Sequence, residues 1–192
     1  MCGINCILNF NLDNVNKNVI QQMNEQIIHR GPDKQKLFFD KNFAFGHCRL
    51  SIIDLSDKGD QPMFSHDQRY VIAYNGEIYN FKILRKQLEK QGVLFMSNSD
   101  TEVILNSYIA WGTKCVSMFN GMFAFLIWDR KDKKLFGARD RFGIKPLYYL
   151  INEKRIIISS EINPIIKILE PVIDDEALIE YFLFRNYLNN KP

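Results

Sequence analysis

Apolar residues follow two different rhythms along this chain. From Gly3 to Asn9 they are nearly continuous, the pattern of a short strand buried on both faces. Val15, Val19, Ile20, Met23, Ile27 and Ile28 then recur at helical spacing. His29-Arg30-Gly31-Pro32-Asp33 should end that helix, because Gly and Pro are turn chemistry and Pro32 disfavours helical geometry at Gly31. Strand-like runs follow at Leu37 to Phe39, Phe43 to Cys48 and Tyr70 to Tyr74, with a polar stretch from Asp57 to Gln68 that reads as a surface loop. Asn80 can cap a helix to about Gln91, and Ser99-Asp100-Thr101-Glu102 has the form of a capping box before Val103 to Trp111.

After Asn120-Gly121 the rhythm returns to strands: Met122 to Trp128, Leu135 to Arg139, Pro146 to Ile151 and Arg155 to Ser160, expected to form a second antiparallel set. Helices are expected at Ile162 to Leu169 and Asp174 to Tyr187. Strands and helices come in blocks, which predicts an α+β fold of stacked antiparallel sheets with helices on the outer faces. The last helix carries more apolar surface than the residues around it can cover, so the chain reads as a piece of something longer.

Composition narrows the options. With 192 residues, 46% hydrophobic and 24% charged, the chain can bury a real core, which excludes disordered and fibrous classes. A net charge of +3 is too small to make nucleic acid or anionic lipid the default partner. The longest apolar stretch, Met122 to Trp128, is far shorter than the roughly 20 residues that span a bilayer, and the N-terminus lacks the pattern of a signal peptide. A cytoplasmic protein is expected. Cys2, Cys6, Cys48 and Cys115 form neither a disulfide framework nor zinc spacing with the three histidines, so no metal site is expected.

Three features could carry chemistry. Cys2 becomes the N-terminus once Met1 is removed, and would then hold both a thiol and a free α-amine able to take its proton; it could equally be buried filler. Asn75-Gly76 could offer an amide and an open N–H to an oxyanion, or could be a hairpin turn. Arg49 and Asp100 have the opposite charges that an amino acid's head group requires, or could form an internal ion pair. His29, His47 and His66 are read as structural, since the residues around Cys2 lack the papain-type signature.

Together these residues are more specific than apart. Met1-Cys2-Gly3-Ile4, His29-Arg30-Gly31-Pro32-Asp33, Arg49-Leu50-Ser51-Ile52-Ile53-Asp54, Asn75-Gly76-Glu77-Ile78-Tyr79-Asn80, Ser99-Asp100-Thr101-Glu102, Gly121-Met122-Phe123-Ala124-Phe125, Arg139-Asp140-Arg141-Phe142-Gly143 and Ser160-Glu161-Ile162 occur in one order. The series resembles the glutaminase domain of glutamine-hydrolysing asparagine synthetases, class II glutamine amidotransferases of the N-terminal-nucleophile hydrolase type.

That resemblance implies a four-layer αββα sandwich. It implies Cys2 as nucleophile attacking the side-chain amide of L-glutamine through a thioester, with Asn75 and Gly76 holding the oxyanion. It further implies Arg49 on the substrate α-carboxylate, backbone contacts from Ile52 and Ile53, and Glu77 with Asp100 on the α-ammonium. Residues 1–170 would be the glutaminase domain, and 171–192 a linker and first helix toward an ATP-dependent synthetase domain. This chain itself would need no cofactor; ATP and Mg would belong to that other domain, whose Ser-Gly-Gly-x-Asp-Ser loop has no counterpart here. The expected partners are L-glutamine and the synthetase domain, with a homodimer left open. Cys48 departs from the family, which commonly has a charged or polar residue before the arginine. Other readings are an amidotransferase serving a different acceptor such as a sugar, an N-terminal-nucleophile amidase for another amide, and a catalytically silent binding module.

Overall fold

The computed structural model describes residues 1–169 and 172–186. Four layers stack as helix, sheet, sheet, helix, the sandwich expected. The first sheet has five strands in the order β2-β3-β1-β9-β8: β2 is Lys34–Asp40, β3 Phe43–Arg49, β1 Gly3–Asn9, β9 Arg155–Ser159 and β8 Tyr148–Ile151. The second has four in the order β4-β5-β6-β7: β4 is Met63–Phe64, β5 Tyr70–Ile78, β6 Gly121–Asp129 and β7 Lys134–Arg139. All pairings are antiparallel.

Between the sheets lie the alternating inward residues of β1, β3, β5 and β6: Ile4, Cys6, Phe43, Phe45, Val71, Ala73, Leu126 and Trp128. Trp128 stacks flat on Phe43 at 4.1 Å, linking the two sheets. Outside the first sheet, α1 (Lys17–Gln26) and α4 (Asn163–Ile168) bury Ile20, Met23 and Ile165 against Ile7, Ala44 and Ile157. Outside the second, α2 (Phe81–Lys90) and α3 (Asp100–Trp111) bury Leu84, Leu88, Val103 and Ile104 against Ile72, Phe125 and Ile127.

Four expectations need correction. The strands after Asn120 do not form one set. β6 and β7 pair with β5, whereas β9 crosses back to β1, where Asn5 meets Ser159. Hydrophobic rhythm gives a strand its faces and says nothing of its neighbour. The polar 57–68 stretch is not a surface loop, since Asp60, Gln61, Met63 and Ser65 are buried and β4 lies within it. Gln61 is held inside by the Tyr74 N–H donating to its Oε1 at 2.6 Å.

The capping box at Ser99 is half made. Ser99 Oγ accepts from the Glu102 N–H, but the Glu102 carboxylate turns away to accept from the N–H groups of Met96 and Ser97 and from Ser97 Oγ. Asn80 precedes α2 without capping it; its side chain bridges Met118 and Asn120 instead. The final helix, α5, spans Asp175–Phe184 and buries none of its residues. The proposed boundary at Pro171 and the helix end at Tyr187 lie outside the described residues.

Candidate active site

Cys2 sits immediately before β1. Its carbonyl accepts from Arg30 Nε at 3.0 Å, and Arg30 Nη1 donates to Glu161 at 3.0 Å, so three separated motifs fix the start of the strand. Gly31 is required beside them because a Cβ there would run into the Cys48 carbonyl. The Cys2 sulfur lies against the backbone of Leu50, 3.4 Å from its nitrogen and 3.5 Å from its oxygen. Burial raises the thiol's pKa, so a base is needed to produce thiolate. With Met1 present the Cys2 nitrogen is an amide and cannot serve. Met1 itself lines the cavity, its sulfur 3.1 Å from Lys145 Nζ.

Cys2 lies beside a half-open cleft whose empty space, about 630 Å³, includes open solvent. Asn75, Gly76 and Glu77 form one wall, and they do so from within a strand. β5 continues to Ile78 with Asn75 opposite Ala124 and Gly76 opposite Phe123, which overturns the hairpin-turn alternative. Gly76 is needed for close approach, since a Cβ would collide with the Met122 carbonyl and Phe123 Cα of β6. Asn75 is almost wholly buried, yet its Nδ2 has no hydrogen-bond partner among the described residues. A buried amide donor without an acceptor costs free energy unless a ligand supplies one.

Arg49, Ile52, Ile53 and Asp100 line the same cavity, so all eight expected site residues converge. Arg49 ends β3 and is buried; its Nη1 donates to Asp60 at 2.6 Å and to the Ser56 carbonyl at 3.0 Å, and its Nη2 to the Asp54 carbonyl. It therefore forms an internal ion pair and lines the cavity at once. Ile52 and Ile53 belong to the connection after β3, anchored by the Ser51 N–H on Asp33 and the Asn98 N–H on Asp54. Asp100 accepts from Tyr74 Oη at 2.7 Å and from the Ile78 N–H at 3.0 Å, tying the start of α3 to β5. Burial raises its pKa against those two bonds.

Sequence reasoning missed Arg30, Asp60, Tyr74 and Lys145. Arg30 was legible as part of a turn and of the ordered motifs, but its contact was not, because its partner Glu161 is 131 positions away. Asp60 was hidden in a stretch read as surface loop. His47 and His29 have structural partners, and His66 is exposed. His47 is buried between the sheets, its Nε2–H donating to the Tyr74 carbonyl at 3.1 Å, and burial lowers its pKa to about 4. His29 pairs with Glu161 at 2.8 Å. Cys48 points away toward Asn24, with its thiol pushed by burial to about 12, which makes it inert. Among the described residues, no helix is long and apolar enough to cross a membrane.

This architecture, with a cysteine at the head of a central strand, is an N-terminal-nucleophile amidotransferase fold. A solved structure of glutamine phosphoribosylpyrophosphate amidotransferase from B. subtilis, complexed with ADP and GMP, superposes with a TM-score of 0.70 at 22% identity, over 85% of this chain and 42% of that one.

Sequence relatives give the family. Residues 1–191 match the glutamine amidotransferase domain family, and the chain belongs to it. It is 46% identical over 168 residues to asparagine synthetase [glutamine-hydrolyzing] 1 of Bacillus subtilis (strain 168), covering 87% of this chain and 26% of that protein. It is 43% identical over 188 residues to putative asparagine synthetase [glutamine-hydrolyzing] 2 of Methanocaldococcus jannaschii, covering 88% of this chain and 36% of that protein. The chain thus spans about a quarter to a third of the length of these curated relatives.

Proposed function

We propose that this glutamine amidotransferase domain hydrolyses L-glutamine to glutamate and ammonia through a thioester on Cys2. The observation that carries the reading is that Asn75, whose buried Nδ2 has no hydrogen-bond partner among the described residues, lines the same cavity as Cys2. With Met1 removed, the α-amine of Cys2 takes the thiol proton and the sulfur attacks the side-chain amide carbon. Negative charge then grows on the amide oxygen, where Asn75 Nδ2 and the Gly76 N–H can receive it; stabilising charge only as it develops is what accelerates acyl transfer. The amine returns its proton to the departing nitrogen, ammonia leaves, and water cleaves the thioester to glutamate and free thiol.

Arg49 receives the α-carboxylate, Glu77 and Asp100 the α-ammonium, and the backbone at Ile52 and Ile53 completes the binding site. An apolar acyl chain would offer Arg49, Glu77 and Asp100 no partner while excluding water from them, at about 1–3 kcal/mol for each polar group so stranded, which favours a free amino acid over another amide. The ammonia would serve an ATP- and Mg-dependent synthetase domain joined through α5, with aspartate as acceptor after the pattern of the relatives' names and the cytoplasm as the setting.

The test is glutamine hydrolysis by the processed protein, by Cys2→Ala and by a form that retains Met1. Only the first should produce glutamate. Hydrolysis at full rate by either of the others would refute the mechanism.

A further inference from the structure

Asp60 gathers three cations. It is only 8% exposed. Its Oδ1 accepts from Arg49 Nη1 at 2.6 Å, while its Oδ2 meets Lys34 Nζ at 2.6 Å and Lys36 Nζ at 2.7 Å. The two lysines project from one face of β2, two residues apart, and Lys34 stands opposite Arg49 in the sheet. Lys34 also holds Asp57 at 2.5 Å. Three cations and two carboxylates leave the cluster with one positive charge beside the cavity.

The consequence lies in Arg49's geometry. A guanidinium has five N–H donors in a fixed plane. Both Nη1 hydrogens are used, on Asp60 and Ser56, and one Nη2 hydrogen goes to Asp54. Among the described residues, no hydrogen bond engages Nε–H or the second Nη2–H. Nε–H lies on the Nε/Nη2 edge, the edge that can grip a carboxylate. The cavity is also lined by the carboxylates of Asp54, Glu77 and Asp100, any of which a loosened guanidinium could capture.

We propose that Asp60, itself held by Lys34 and Lys36, is a positioning residue that keeps the Nε/Nη2 edge of Arg49 available to the α-carboxylate of the substrate. This rests on Arg49 being the carboxylate receptor. Asp60 touches no substrate. It acts by engaging the opposite edge of the guanidinium, so its loss should weaken carboxylate recognition and leave the chemical step alone.

The experiment measures kcat and KM for L-glutamine and for its α-carboxamide analogue, L-glutaminamide, which lacks the carboxylate. Asp60→Asn should raise KM for glutamine about tenfold, the loss of roughly one charge-assisted bond. The glutamine kcat should stay within about twofold, as should kcat/KM for the analogue. Lys34→Gln combined with Lys36→Gln, at positions far more exposed than Asp60, should raise the glutamine KM about threefold with the same split.

Arg49→Lys separates the two layers of the argument. If it leaves the glutamine KM unchanged, the reading of Arg49 fails and Asp60 with it. If it raises KM while Asp60→Asn and the lysine pair do not, the role of Asp60 alone is overturned. Equal losses on both substrates would mark Asp60 as merely structural and also overturn it. If Asp60→Asn does not fold, the lysine pair decides.

Discussion

Asn75 shows how a buried residue can be costly for the fold and useful for the site. Its Nδ2 is sealed from water without an acceptor, so truncating it removes an unsatisfied donor and no hydrogen bond of the folded chain. Asn75→Ala should lower kcat for glutamine by about 10²–10³-fold while unfolding free energy changes by less than about 1 kcal/mol. Parallel kinetics and urea melts check both halves. A large loss of stability with kcat intact would make Asn75 a structural residue. At this scale the sequence was informative in combination: Cys2 and Asn75-Gly76 were ambiguous alone and gained a role from the ordered motifs around them. It was silent on Asp60 and Arg30, whose meaning lies in partners brought near only by folding.

Elements place these residues, and β5 is the decisive one. Asn-Gly is ordinarily a turn, but here β6 continues alongside through Gly121 and satisfies the backbone, so tertiary pairing overrides local turn chemistry. Gly76 allows that pairing to run on to Ile78. Gly76→Ala should therefore push β5 and β6 apart and cost about 1–3 kcal/mol or more in a denaturant melt. An alanine variant as stable as the parent would mean that the close approach is not needed. The ranges of β1, β3 and α2 were legible to within a residue or so, since the hydrophobic pattern is the strongest local signal. Sheet membership was not: β8 and β9 follow β7 in the chain and yet close the other sheet.

Across the whole molecule, charge holds the active-site connection to the first sheet. Burial alone would raise the pKa of Asp60, but its bonds to Lys34, Lys36 and Arg49 bring it down to about 2. A carboxyl whose folded pKa lies below its unfolded value, near 3.8, stabilises the fold above that value and loses the contribution as pH falls toward 2. The amount is about 2 kcal/mol. Asp140 acts in the same direction. Burial opposes the shift, and backbone N–H bonds from Lys145, Ile144, Phe123 and Phe142 lower its pKa. Urea melts at pH 6, 4 and 2.5 should show the stability difference between the parent and Asp60→Asn shrinking with acid. A difference that stays constant would contradict the linkage.

The αββα class was readable from the blocks of periodic segments and from the ordered motifs. The order of strands and the anchoring of residues 50–62 were not, because both depend on contacts between distant parts of the chain. The chemistry proposed is narrower than the fold: a thiol made nucleophilic by its own α-amine, in a cavity that admits glutamine. Intact-mass analysis after treatment with a glutamine-like diazoketone addresses it directly. One adduct, on Cys2, should form with the processed protein, be blocked by excess glutamine and be absent when Met1 is retained. Labelling that is equally fast with Met1 in place, or that falls on Cys48 or Cys115, would contradict it.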